Sequence, residues 1–209
     1  MVHLELTLSR RERLKAATQD AHRELDARVS TAHYFTSCAG YADWLASSYR
    51  FHSIAENALE AAGVASLLTG WAARKKTPLI ACDLADLGVT VATRGSLVVS
   101  DEQFRIADAN ACLGAMYVIE GASMGARMLL VSARRLGMSA QHGARQLTAA
   151  AEGFESWHSF VAMLEAAPCD ATGEAAMVDA ARRTFDLAAS CFVGGRVPAS
   201  SLDRGNVSR

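Results

Sequence analysis

Gly114-Ala-Met-Tyr-Val-Ile-Glu-Gly-Ala-Ser-Met-Gly-Ala-Arg-Met-Leu-Leu130 reads as helix from its apolar residues, yet it carries Gly121 and Gly125 in its interior. Each interior glycine costs about 1 kcal/mol relative to alanine. The two stand one turn apart, so both bare patches fall on one face. A helix that keeps them has something pressed close against it, either another backbone or a flat ligand. The pair is also the natural place for a long helix to bend.

Immediately upstream, Ser100-Asp-Glu-Gln103 has capping-box spacing. It predicts one helix from there through the glycines to about Leu136, with Gly137 as the stop. Thr90 to Val99 reads as loop. Further back, Ser9-Arg-Arg-Glu12 is a second capping box. It predicts a helix to about Val29, with Leu14, Thr18, Ala21, Leu25 and Val29 at helical spacing on its inner face. His22 lies within that face, with Lys15 two turns before it and Asp26 one turn after. A further helix is predicted over Tyr41–Ala62, with Trp44, Leu45, Ser48, Phe51, His52, Ala55 and Leu59 inward. A short one is predicted over Ser66–Ala73. Pro78 disfavours helix at Thr77, so the next short helix is placed at Leu79–Leu87. Downstream, helices are predicted at Ala144–Ala151, Phe154–Ala166 and Glu174–Val193. The last turns Met177, Ala181, Phe185 and Ala188 inward and stops at Gly194-Gly195. The pattern is all-α, one domain over 1–195, followed by a polar tail over 196–209.

Bulk properties agree with one full-sized core: 209 residues, of which 51% are hydrophobic and 21% charged. A net charge of −1 gives no nucleic-acid footprint. The five cysteines are odd in number and none are spaced as C-x-x-C, which argues against zinc or a disulfide framework. Neither a signal-like N-terminus nor a bilayer-length apolar run is present. The expectation is a cytoplasmic protein with no membrane partner.

Two features carry chemistry. A neutral imidazole at His22 can give one nitrogen to a metal or haem iron while its other N–H is fixed by an acceptor, and Asp26 is placed for that. Lys15 on nearly the same face suits an anionic edge of a ligand. The competing reading of His22 is a packed histidine bonded locally to Asp26. The glycine face equally suits a planar macrocycle or a close helix contact. Glu120 reads as a helix-surface or supporting residue, and His52 as structural. Neither a phosphate loop nor a G-x-S-x-G elbow occurs.

Taken together, the histidine helix and the glycine helix resemble those of bacterial haem oxygenases. Leu14-Lys-Ala-Ala-Thr-Gln-Asp-Ala-His22 resembles the proximal helix, and Tyr117-Val-Ile-Glu-Gly-Ala-Ser-Met-Gly125 the distal motif. Tyr41 through Glu56 is similar to the family's second helix. Lys76-Thr-Pro-Leu-Ile-Ala-Cys-Asp-Leu-Ala-Asp-Leu-Gly88 is similar to a segment of the bacteriophytochrome-associated type. The resemblance implies a multi-helical bundle with a kinked distal helix. It implies oxidative cleavage of haem to biliverdin, releasing CO and ferrous iron, with haem as both substrate and cofactor. His22 would ligate the iron and Asp26 would support it. Lys15, Tyr117 and Arg182 (or Arg183) would meet the propionates, and Gly121 and Gly125 would form the distal wall of the reaction site. Implied partners are haem, O₂, a ferredoxin or similar electron donor, and a bacteriophytochrome as bilin acceptor. The sequence departs from the family at Ala122, at Met124 in place of Leu, and at Asp26 where some relatives have Glu. The Ala122 departure keeps open a haem- or bilin-binding relative that does not turn over.

Overall fold

A computed structural model describes residues 8–90 and 104–192. Its regular elements are α-helices, joined by 3₁₀ turns and loops, with no strand among the described residues. They are α1 (Arg10–Thr31), α2 (Cys38–Ala61), α3 (Val64–Leu67), α4 (Trp71–Arg74), α5 (Thr77–Asp86), α6 (Ala109–Gly121), α7 (Ala126–Arg135), α8 (Arg145–Glu152), α9 (Phe154–Ala166) and α10 (Ala171–Cys191). No described helix is long and apolar enough to cross a membrane.

The start of α1 follows directly from its sequence. Ser9 Oγ accepts from the Glu12 N–H at 3.2 Å, and the Ser9 N–H donates to the Glu12 carboxylate at 2.8 Å. The next two first-turn donors, the N–H groups of Arg10 and Arg11, reach the Glu165 carboxylate on α9 at 2.9 Å each. The orphan donors that every helix start leaves are thus met, and α1 is tied to α9. Leu14 and Thr18 are buried, and Ala21, Leu25 and Val29 pack half-buried against the core.

Several helix starts differ from the sequence expectation. The α5 helix begins at Thr77, ahead of Pro78, because the buried Glu56 of α2 caps it from across the chain. Glu56 accepts from the N–H of Lys76 at 2.6 Å and from the Thr77 hydroxyl at 2.6 Å. Proline suits the first turn, where its missing donor is no loss. The predicted Ser66–Ala73 helix is instead two single turns, α3 and α4, parted by Gly70 at φ +77°. The long helix predicted from Ser100 does not extend through Phe104–Asp108. The Asp108 carboxylate caps a new start at α6, accepting from the Ala111 N–H at 2.8 Å. The Ser100–Gln103 box and the Gly194-Gly195 stop lie outside the described residues, and α10 already ends at Cys191.

The α-helix is interrupted at the glycines, where a bend was expected. Between α6 and α7 the chain tightens into a 3₁₀ turn over Ala122–Gly125. Gly121 (φ −61°) and Gly125 (φ −86°) both keep right-handed backbone. Their lack of a side chain therefore serves space, not conformation. Ser123 Oγ donates to the Glu120 carbonyl at 2.6 Å, engaging an acceptor at the break.

The core centres on α6 against α10, with α1 and α9 each packed on this pair. The α6–α10 approach is set by Gly114: a Cβ there would lie 2.0 Å from the Met177 carbonyl oxygen. At the far end, the buried Asp83 of α5 accepts from the N–H groups of Arg145 and Gln146 at 2.9 and 3.0 Å, capping α8.

Candidate haem site

His22 is not buried in the inner face of α1 but stands at its margin. Its side chain is 60% exposed, which separates it from a packed core histidine. Nδ1 lies 3.0 Å from an Asp26 carboxylate oxygen. With Nδ1–H donating to that carboxylate, Nε2 keeps its lone pair and points away from the helix's own partner. Among the described residues one ring packs on the imidazole: the buried Phe185 of α10, at 5.7 Å between centroids and 73° between planes. No group of three or more His, Cys, Asp or Glu side chains among the described residues is placed to hold a bare metal ion. His22 offers a single nitrogen, which suits a metal already held in a macrocycle.

The predicted propionate residues separate. Lys15 is exposed two turns before His22. The Arg182 Nε donates to the Ala17 carbonyl on α1 at 3.0 Å, so its guanidinium leans on the histidine helix. Arg183 is held elsewhere, by Asp179 at 2.9 Å and by the Arg105 carbonyl at 2.9 Å. Of the two arginines, Arg182 is the one beside α1. Tyr117 is half-buried on α6 near Thr18 of α1, whose hydroxyl donates to the Leu14 carbonyl at 2.8 Å. Burial pushes the Tyr117 pKa up, with the neighbouring Thr18 opposing.

The two glycines face different surroundings. A Cβ on Gly121 would meet the Trp157 ring of α9 at 3.7 Å, an ordinary contact, whereas one on Gly125 would meet nothing within 4 Å. Neither glycine is required by a close helix contact; that demand falls on Gly114. Gly125 leaves bare backbone facing open space, as a flat ligand needs. Beside it, Met124 and Met128 are exposed.

Glu120 is buried, so of the two roles the sequence left open it takes the supporting one and not the surface one. It pairs with Arg74 of α4 at 3.0 Å and accepts from Ser156 Oγ of α9 at 3.1 Å. Arg74 also reaches Ser159 Oγ at 2.7 Å. This network pins the end of α6, one residue before the glycine turn. His52 is structural as expected: burial, with the Lys76 charge adding, holds its pKa down at about 3.

Sequence reading missed Phe185 as a partner of His22 and Arg74 as the partner of Glu120. Phe185 was legible only as an inward residue. No local signal ties Arg74 to Glu120, 46 residues on.

Comparison with known proteins shows the family. The family model described as "Heme oxygenase" matches residues 8–193. A haem oxygenase of Pseudomonas aeruginosa, PigA, is 32% identical over 157 residues, covering 75% of this chain and 77% of that protein. The haem oxygenase of Neisseria meningitidis, solved in NO- and CO-bound forms, superposes with a TM-score of 0.76 at 24% identity, over 89% of this chain and 91% of that one.

Proposed function

The chain belongs to the haem oxygenase family, and we propose that its His22 is the iron ligand for oxidative cleavage of haem to biliverdin, CO and ferrous iron. The observation that carries this reading is the exposed imidazole whose Nδ1 is held by Asp26, leaving Nε2 for iron. The bare backbone at Gly125 fits the opposite face of a flat ring.

Haem brings the iron and the conjugated ring at which O₂ is activated; the chain's residues place it. Asp26 fixes the tautomer of His22 and raises the basicity of Nε2. Lys15 and the two Nη groups of Arg182 offer positive charge and donors to the propionates. Tyr117, half-buried on α6 beside Thr18, would offer its hydroxyl to a propionate. Glycine at 125 puts no side-chain acid or base over the ring, so proton delivery on that face would fall to water. The Glu120–Arg74 pair keeps the glycine turn in place.

An external reductant must supply the electrons, and a ferredoxin or similar donor fits that need. The 76–88 segment supports a bacteriophytochrome as acceptor of the bilin. Titration with haem, followed in the Soret region for the parent and His22→Ala, tests the ligand assignment. A 1:1 complex whose band shifts or weakens in the variant supports it, whereas identical spectra and affinity exclude His22.

A further inference from the structure

A hydrogen bond holds a ring at one point. The Nδ1–Asp26 contact at 3.0 Å fixes the direction of one N–H, but leaves the imidazole free to rock about that bond. Both partners lie on α1 and both are exposed, at 60% and 66% of the side chain. A second contact from another element is needed to define the ring plane, and α10 supplies it. Phe185 packs near-perpendicular to His22 at 5.7 Å, a favoured aromatic arrangement. It is itself 6% exposed and embedded in the α10 core face, so it does not move with solvent. One turn earlier on the same helix, Arg182 bonds the Ala17 carbonyl of α1 at 3.0 Å, holding the two helices at this spacing.

The geometry points to Phe185 as a positioning residue: its buried ring, with Asp26, fixes the plane of the imidazole offered to iron. This rests on His22 being the ligand. The plane matters because the imidazole π orbital overlaps one of the iron dπ pair. Its rotation about the iron–nitrogen axis sets how far those orbitals split, one of the levers by which an axial ligand tunes haem.

Electron paramagnetic resonance of the haem-loaded ferric protein with added azide reads this splitting directly. Phe185→Leu is expected to bind haem 1:1 with a parent-like Soret band, but with low-spin g-values shifted or broadened. Phe185→Tyr keeps the ring and is expected to restore the parent g-values. A leucine variant with parent g-values and line widths overturns the proposal. His22→Ala in the same series separates the two claims. Parent-like spectra there remove the ligand assignment and this proposal with it. A changed His22→Ala beside an unchanged Phe185→Leu removes only the role of Phe185. If the leucine variant does not fold, NMR of the haem-free parent decides. His22 ring protons displaced by the Phe185 ring current support the proposal, and shifts of an ordinary exposed histidine overturn it.

Discussion

Replacing Gly125 by alanine should stabilise the haem-free protein while weakening its hold on haem. Gly125 has right-handed backbone, and the added Cβ meets nothing within 4 Å. Removing glycine's excess freedom in the unfolded chain is then worth about 0.5–1 kcal/mol. For a chain of this size that raises Tm by about 1–4 °C. The same methyl stands where the proposed ring lies. Overfilling a close contact costs about 1–3 kcal/mol, which weakens haem binding by about 5- to 150-fold. Gly114→Ala is the mirror control. Its Cβ would sit 2.0 Å from the Met177 oxygen, and 2.8 and 3.0 Å from two further backbone atoms. Ordinary contact begins at 3.4 Å, so α6 and α10 must part by about 1.4 Å. No rotamer relieves a clash with backbone. A loss of about 3 kcal/mol is expected, or about 6–12 °C in Tm. Calorimetry of the haem-free variants and Soret titration of the same samples give both quantities. A Gly125→Ala variant with raised Tm and parent haem affinity would refute the placement of a flat ligand against Gly125.

Asp26→Ala frees the His22 ring and should cost about 10- to 100-fold in haem affinity, the usual loss when the partner of a metal-bound histidine is removed; unchanged titration curves would show that Asp26 does not orient the ligand. Arg74→Met strands the buried Glu120 carboxylate and should destabilise by about 3–5 kcal/mol, measured by urea unfolding, where a loss below about 1 kcal/mol would contradict the network's role. His52 is held near pKa 3 in the fold, below its ordinary 6.5. The unfolded chain therefore takes up a proton that the folded one refuses as pH falls through 6.5 toward 3. Stability should drop over that window by up to about 1.4 kcal/mol per pH unit from this group. In His52→Leu the urea midpoint should fall less steeply between pH 7 and pH 5, and parallel slopes in parent and variant would refute the assignment.

What could be read from the sequence was what its chemistry settles locally. The Ser9–Glu12 capping box places α1 within a residue of its true start, and His22 and Asp26 meet because four residues is one helical turn. The glycine pair marks the break between α6 and α7, where the chain tightens into a 3₁₀ turn. Distant contacts were not legible. Glu56 caps α5 from 20 residues away, which moves the helix start ahead of Pro78. Asp108 starts α6 where the Ser100 box suggested a helix already under way. The glycine that answers to close packing proved to be Gly114, because only the position of Met177 shows which helix face meets a neighbour. Arg182 and Arg183 are adjacent and chemically alike, and only the packing of α10 directs the first to α1 and the second to Asp179.

Haem opening by this chain can be followed by absorption spectroscopy of the purified protein loaded with one equivalent of haem, then given reductant and O₂. The Soret band should collapse, a broad red biliverdin band should grow in, and CO and ferrous iron should appear in equal amounts. A Soret band that persists through reduction and oxygenation, with neither bilin nor CO formed, would contradict it.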